Sequence, residues 1–297
     1  MLRDMVGYGR KTPNIQWPNQ AKVALNFVIN YEEGAELTPV NGDAFSEIYG
    51  GEFPLAAKAE GVRSLSMESL FEYGSRAGLW RLIHLFEQEQ IPLTFFLTGL
   101  ALTLNSELSQ YLHESAHETA GHGWRWIDYA QLPREEEKKH ILLCINTIET
   151  LTGQRPLGWY TGRRSEHTRD LLLEIGGFVY DSDSYADDLP YFAANHHLII
   201  PYTLDCNDFR FSTSPGFSQS NDFFVYLKNT LDYLYQENRA TMMTICLHPR
   251  FSGHPGRCLA LKQFLSYLKQ FPDIWIARRI DIARYWLQQC KAFSSKK

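Results

Sequence analysis

Two short stretches of this chain carry residue types that can cleave a bond. Asn30-Tyr31-Glu32-Glu33-Gly34 sets two adjacent carboxylates at the end of an apolar run, Val23 to Ile29. Glu118-Thr119-Ala120-Gly121-His122 ends in a histidine, and Trp126 stands where a metallohydrolase often places a second His. Carboxylates with an imidazole point to hydrolysis by acid–base catalysis. Indole is a donor only and cannot ligate, so Trp126 points to hydrolysis without a firmly held metal. Glu33 and His122 are the candidate ligands if a metal is present. They fall short of the three protein ligands typical of a catalytic zinc, so the expectation is no cofactor beyond weak or adventitious zinc.

These groups need elements to hold them. Lys22 to Asn30 reads as a first buried strand, followed by a stretch, 31–66, without clear period and rich in Gly and Pro. Such a long loop in a compact domain is usually functional or an interface. Leu79, Leu82, Ile83 and Phe86 form one helical stripe, Leu93 to Leu97 a second strand, and a third strand leads into His122. Pro133 opens a helix that stops at Gly153. Strands are expected at Leu157 to Tyr160, Phe178 to Asp181, Leu198 to Leu204, Thr241 to Leu247 and Ile274 to Ala277, with helices between them and Asp281 capping the last. Strands alternating with helices argue for a single α/β domain, 1–297, with a largely parallel sheet. Residues 1–21 read as an arm packed over it and 292–297 as a flexible tail. Glu32, Glu33, His122, Tyr160, Asp181, Asp205 and His248 all fall just after strand ends, which in a parallel barrel share one rim.

Bulk composition narrows the partners. The chain has 297 residues, 44% of them apolar, enough for a sizeable core. Twenty-nine basic against 34 acidic residues give a net charge of −5, which argues against a nucleic-acid or anionic-membrane surface. Five cysteines without a C-x-x-C pair fit a reducing cytoplasm. The N-terminus shows no apolar signal segment, and Leu93 to Leu104 is too short to span a bilayer.

At these residues the chain resembles the polysaccharide deacetylase superfamily, whose irregular (β/α) barrels hydrolyse amide C–N bonds. Asn30-Tyr31-Glu32-Glu33 matches the Thr-Phe-Asp-Asp segment with Glu for Asp, His122 matches the first metal His, Trp126 replaces the second, and Leu247-His248 matches the late pair. Within that superfamily, Glu72-Tyr73-Gly74-Ser75-Arg76-Ala77-Gly78, Gly158-Trp159-Tyr160-Thr161-Gly162-Arg163 and Tyr180-Asp181-Ser182-Asp183-Ser184-Tyr185-Ala186-Asp187-Asp188 resemble the cofactor-independent allantoinases. Residues 52–64 depart from that pattern, and Pro249 follows His248 where those enzymes carry Cys. The resemblance implies a homo-oligomer, a tetramer with the 31–66 loop partly in its interface. It also implies a small-molecule ureide substrate and a place in purine catabolism.

Opening allantoin to allantoate needs a base, an oxyanion stabiliser and an acid. The match to the deacetylase base makes Glu32 the general base, with Glu33 raising its pKa if both share a cavity. His122 would orient water or polarise the carbonyl. His248 is the candidate acid, since imidazole titrates near neutrality. Glu33, Trp126, Trp159, Tyr160, Arg163 and Asp205 are the candidate substrate contacts; for Arg163 a surface ion pair is at least an equal reading, and each aromatic taken singly is more readily core. The same three roles serve an N-deacetylase of peptidoglycan or another acetylated sugar, and an inactive ureide- or sugar-binding protein would keep the same pocket.

Overall fold

The computed structural model describes residues 3–52, 56–193, 196–237 and 239–294, with side chains through 290. Strand β1 (Val23–Tyr31) is the hub. β8 (Thr241–Leu247) pairs along one edge, in parallel. The other edge is shared: β9 (Ile274–Ile276) lies opposite Val23 to Leu25, and β2 (Leu93–Leu97) opposite Phe27 to Tyr31. From β2 the parallel sheet continues through β3 (Glu118–Gly121), β4 (Gly158–Trp159), β5 (Tyr180–Asp181) and β7 (Leu198–Ile199). β6 (Tyr191–Phe192) pairs antiparallel on its far side. The result is a curled, incomplete barrel, as the strand–helix alternation predicts.

Alternation along the strands sorts the residues. Val23, Leu25, Phe27, Ile29 and Tyr31 point outward into the main core with Leu93, Phe95, Leu97, Ile245 and Leu247. The even positions of β1 point inward, and the barrel fills in layers. Ala24 meets Trp17, Met242 and Ile280 at the base. The Trp17 indole donates to Thr241 O at 2.8 Å, so the described part of the N-terminal arm, from residue 3, closes the bottom of the barrel. Above Ala24, Asn26 meets Thr244 and Arg279. Val28, Phe96, Ala120, Tyr160, Tyr202 and Cys246 form the next layer. Glu32, His122 and His248 stand on top.

No ladder joins β7 to β8 among the described residues; a single bridge, Asn207 to Cys246, spans that seam. Arg279 supplies what the ladder does not. Its guanidinium is fully buried and donates to Asn26 Oδ1 (3.0 Å) and Thr244 Oγ (3.1 Å) on one side. On the other side it donates to Ser182 Oγ (2.8 Å), Ile200 O (2.6 Å) and Pro201 O (2.9 Å).

Helices cover the outside: α1 (Leu65–Tyr73), α2 (Leu79–Gln88), α3 (Gly99–Thr103), α4 (Ser106–Glu114), α5 (Arg134–Thr152), α6 (Thr168–Ile175), α7 (Ser220–Gln236), α8 (Pro249–Ser252), α9 (Pro255–Leu268) and α10 (Arg279–Ser294). A π turn, Gly74–Gly78, joins α1 to α2 without a break. A Cβ at Gly74 would overlap the Glu33 carboxylate, and one at Gly78 the Pro249 carbonyl. Glycine here lets a helix lie directly against the site. None of the described helices is long and apolar enough to cross a membrane.

Several expected boundaries move. The strand expected at Leu198 to Leu204 ends at Ile199, because the chain leaves the sheet where Arg279 takes its carbonyls. Asp281 does not cap α10; it lies in the first turn and pairs with Arg278 at 2.7 Å. Residues 292–294 continue α10 rather than fraying, and 295–297 lie outside the described residues, as do 53–55 of the long loop.

Removing the seam guanidinium leaves several buried acceptors unpaired, each at about 1–3 kcal/mol. Arg279→Met is expected to lose more than about 3 kcal/mol of stability in urea titrations. A loss under about 1 kcal/mol would show that the seam closes without it.

Candidate active site

Each functional side chain follows directly on a strand, where the inward alternation carries over into the rim. Glu32 follows β1, His122 follows β3, Tyr160 follows β4 and His248 follows β8. They converge. Glu32 Oε1 lies 3.0 Å from His122 Nε2 and 3.6 Å from His248 Nε2. All three residues are buried.

Hydrogen-bond partners fix the imidazole tautomers. His122 Nδ1 faces the carbonyl of Tyr160, which can only accept, so Nδ1 carries a proton. His248 Nδ1 lies 2.7 Å from Asp208 Oδ1, and the Asp208 carboxylate also accepts from the His248 and Ser252 amides at 2.8 and 3.2 Å. Both Nε2 atoms therefore address the same oxygen of Glu32. A proton must lie between His122 Nε2 and Glu32 Oε1 for that contact to hold.

The two neighbouring glutamates take opposite states. Burial alone would raise the Glu32 pKa, but Arg250 (2.8 Å from Oε2), His248 and His122 outweigh it and hold the carboxyl well below the usual range. Glu33 is pushed up to about 7 by burial; Arg250 acts against this and the Glu32 charge adds to it. The expectation that Glu33 raises Glu32 is thus reversed: Glu32 stays ionised and its charge helps to raise Glu33. Chain geometry allows both to meet Arg250, because β1 ends at Tyr31 and the Glu32 amide turns back to donate to Glu33 Oε2 at 2.9 Å.

The expected contacts divide. Trp126 stands in an aromatic wall with Tyr49, Phe71 and Phe209. Arg163 covers its ring at 3.9 Å while pairing with Glu47 at 3.2 Å. Tyr160 stacks on His122 at 5.1 Å and on Tyr202 at 4.0 Å. Trp159 does not join them. It points to the outer core, fully buried, with its indole donating to Thr161 Oγ at 2.7 Å. Asp205 is likewise elsewhere: it is 57% exposed, bonds the Tyr226 hydroxyl, and lines a cavity of about 700 Å³ at the seam with Tyr185, Tyr202 and Thr244. Glu33 is buried and engaged by the Arg250 and Glu32 amides.

That last placement bears on metal binding. The carboxylate at His122 is Glu32, so Glu33 and His122 do not form a ligand pair. The second oxygen of Glu32 already faces a guanidinium, and Trp126 offers no lone pair. Among the described residues no group of three or more His, Cys, Asp or Glu is arranged to hold a metal ion. This donor set does not fit a catalytic zinc.

Two residues of the centre escaped the sequence reading. Asp208 lies in a short 3-10 turn, Asp208–Ser212, three residues beyond Asp205. A strand drawn too long, to 204, put the rim at the wrong residue. Arg250 is two residues past His248, a charged side chain on a strand-end turn, and that position was a usable signal.

The polysaccharide deacetylase model matches residues 63–176. A putative polysaccharide deacetylase of Schizosaccharomyces pombe is 36% identical, over 96% of both chains. The structure of a probable polysaccharide deacetylase from Pseudomonas aeruginosa superposes with a TM-score of 0.94 at 46% identity, covering 96% of this chain and 98% of that one. The structure of PuuE allantoinase superposes at 0.93 with 47% identity, covering 96% of each.

The raised Glu33 makes a pH-dependent contribution to stability. Its folded pKa of about 7 exceeds the ordinary 4.5, so the folded state holds the extra proton between those values. That contribution is complete below pH 4.5 and is lost as pH rises through 7. Glu33→Gln is expected to flatten the fall in urea stability between pH 5 and 7, by up to about 1.4 kcal/mol per pH unit. Parallel curves for the two proteins would refute it.

Proposed function

Because the chain belongs to the polysaccharide deacetylase family, we propose that its buried Glu32–His248–Asp208 array hydrolyses a cyclic ureide amide, allantoin to allantoate. The observation that carries this is the convergence of two oriented imidazole Nε2 atoms on one oxygen of an ionised glutamate. The close likeness to PuuE allantoinase over almost the whole chain supports the substrate.

The geometry gives a sequence of proton movements. Glu32 Oε1 takes a proton from water as its oxygen bonds to the ring carbonyl carbon. The carbonyl π pair moves onto oxygen as an oxyanion. Across the 3.6 Å between Oε1 and Nε2 the water proton passes to His248, whose Nδ1 is held by Asp208. His248 Nε2 then gives it to the ring nitrogen as the oxyanion pair re-forms the carbonyl and the C–N bond breaks, which leaves Glu32 and His248 as they began. His122 holds Glu32 in register. Trp126 and Tyr160 offer flat faces suited to a planar ring.

We propose that no metal is required, supported by the donor set described above. A homo-oligomer, tetrameric by family resemblance, is proposed on the outer side of the long loop, where Phe45, Ile48, Val62 and Leu65 are 48–66% exposed. Cytoplasmic residence is proposed on the buried thiols Cys144, Cys206, Cys246 and Cys258.

Chelator-stripped protein is expected to form allantoate from allantoin, with no gain from added zinc. Glu32→Gln should lower the rate about 10²–10⁴-fold. A stripped protein inert on allantoin but active on an N-acetylated sugar would establish the deacetylase reading instead. Light scattering is expected to give a tetramer; a monomer would remove the assembly.

A further inference from the structure

We propose that Arg250 is a positioning residue of the reaction: walled by Trp126, it supplies the fixed positive charge that keeps Glu32 ionised, with Oε2 on the side of the cation and Oε1 turned to the two histidines for proton transfer. This rests on reading Glu32 as the base. The guanidinium is 2% exposed, with Nη2 at 2.8 Å from Glu32 Oε2 and Nη1 at 3.7 Å from Glu33 Oε1. Glu32 Oε2 is therefore ion-paired to the guanidinium without a hydrogen bond, while Oε1 meets His122 and His248.

Burial among apolar groups normally drives a carboxyl toward its neutral form. A permanent cation is the direct remedy, and guanidinium is the side chain that never loses its proton in a protein. Its seat is aromatic: the ring centroids of Phe71, Trp126 and Phe251 lie 4.5, 5.0 and 5.0 Å from Cζ. A π face stabilises a desolvated cation. Trp126 thus has a positive task. The side chain that cannot ligate a metal is the wall for a cation that stands beside the same glutamate. The surrounding backbone fits this seat. Pro249 opens α8 and sets Arg250 on its first turn, and Gly74 brings the π turn against the Arg250 amide. Lysine, a compact charge without a plane, would lack the stacking.

The test compares Arg250→Met, Arg250→Lys and the double variant Glu33→Gln/Arg250→Met, each followed by thermal melting, kcat and KM. Arg250→Met is expected to lose about 10²-fold or more in kcat, with KM moving only a few-fold. The double variant should remain as low in kcat as Arg250→Met, and Arg250→Lys should recover part of kcat. Wild-type kcat in the double variant would overturn the proposal, since Arg250 would then serve only to neutralise Glu33. A substrate-free reading uses the ¹³C shift of the Glu32 carboxyl at pH 7. Carboxylate is expected in the wild type and carboxylic acid in Arg250→Met; carboxylate in both would also overturn it. This signal does not depend on allantoin, so an inactive wild type would count against the substrate and leave the role of Arg250 to be judged by the spectrum.

Discussion

The barrel depends on a guanidinium placed where hydrogen-bonded strands would otherwise meet. β8 lies on one side of an unclosed seam and the segment running on from β7 on the other, and Arg279 joins Asn26 and Thr244 to Ser182 and the carbonyls of Ile200 and Pro201 across it. Everything above that level inherits its spacing. The layer of Val28, Phe96, Tyr160, Tyr202 and Cys246 sits on it, and the acid–base groups sit on that layer. The His248–Asp208 contact spans the same gap: His248 follows β8, while Asp208 lies on the segment that runs on from β7. A 2.7 Å hydrogen bond tolerates little change in seam width.

Two adjacent residues of one type do different work because their surroundings differ. Glu32 meets a guanidinium and two imidazoles; Glu33 meets burial, a more distant edge of the same guanidinium and the charge of its neighbour. Environments that push neighbouring carboxyls apart in pKa are a general route to assigning acid and base. Here the ionised member faces the histidines and the raised member is sealed behind it.

The sequence was most legible where the pattern was long. Nine residues of β1 and seven of β8 make strands long enough to be found in the sequence, and these place Glu32 and His248 at strand ends, while their roles came from the family resemblance and imidazole chemistry. β4 has two residues. No period can be read from it, so Trp159 and Tyr160 looked equivalent, whereas the pleat sends them to opposite faces. Asp208 and Arg250 lie on turns after strands, where side-chain direction is set by tertiary contacts and not by spacing. The reversal of the Glu32 and Glu33 pKa values was beyond sequence reasoning for the same cause: it is made by Arg250, 217 residues away from Glu33. The family resemblance supplied roles, but not these contacts.

The seam also governs when the molecule can exist. The partners of Arg279 lie at 26, 182, 200, 201 and 244 in the chain, and the residue itself opens the final helix. During synthesis the strands can assemble along β1 as they emerge, yet the polar groups lining the gap stay unpaired until residue 279 has left the ribosome. Contacts so distant along the chain are slow to form and leave open edges while they wait. The stretch around residue 279 is therefore the one that locks the open barrel, and a nascent chain stopped short of it leaves the acceptors of the seam without their donor.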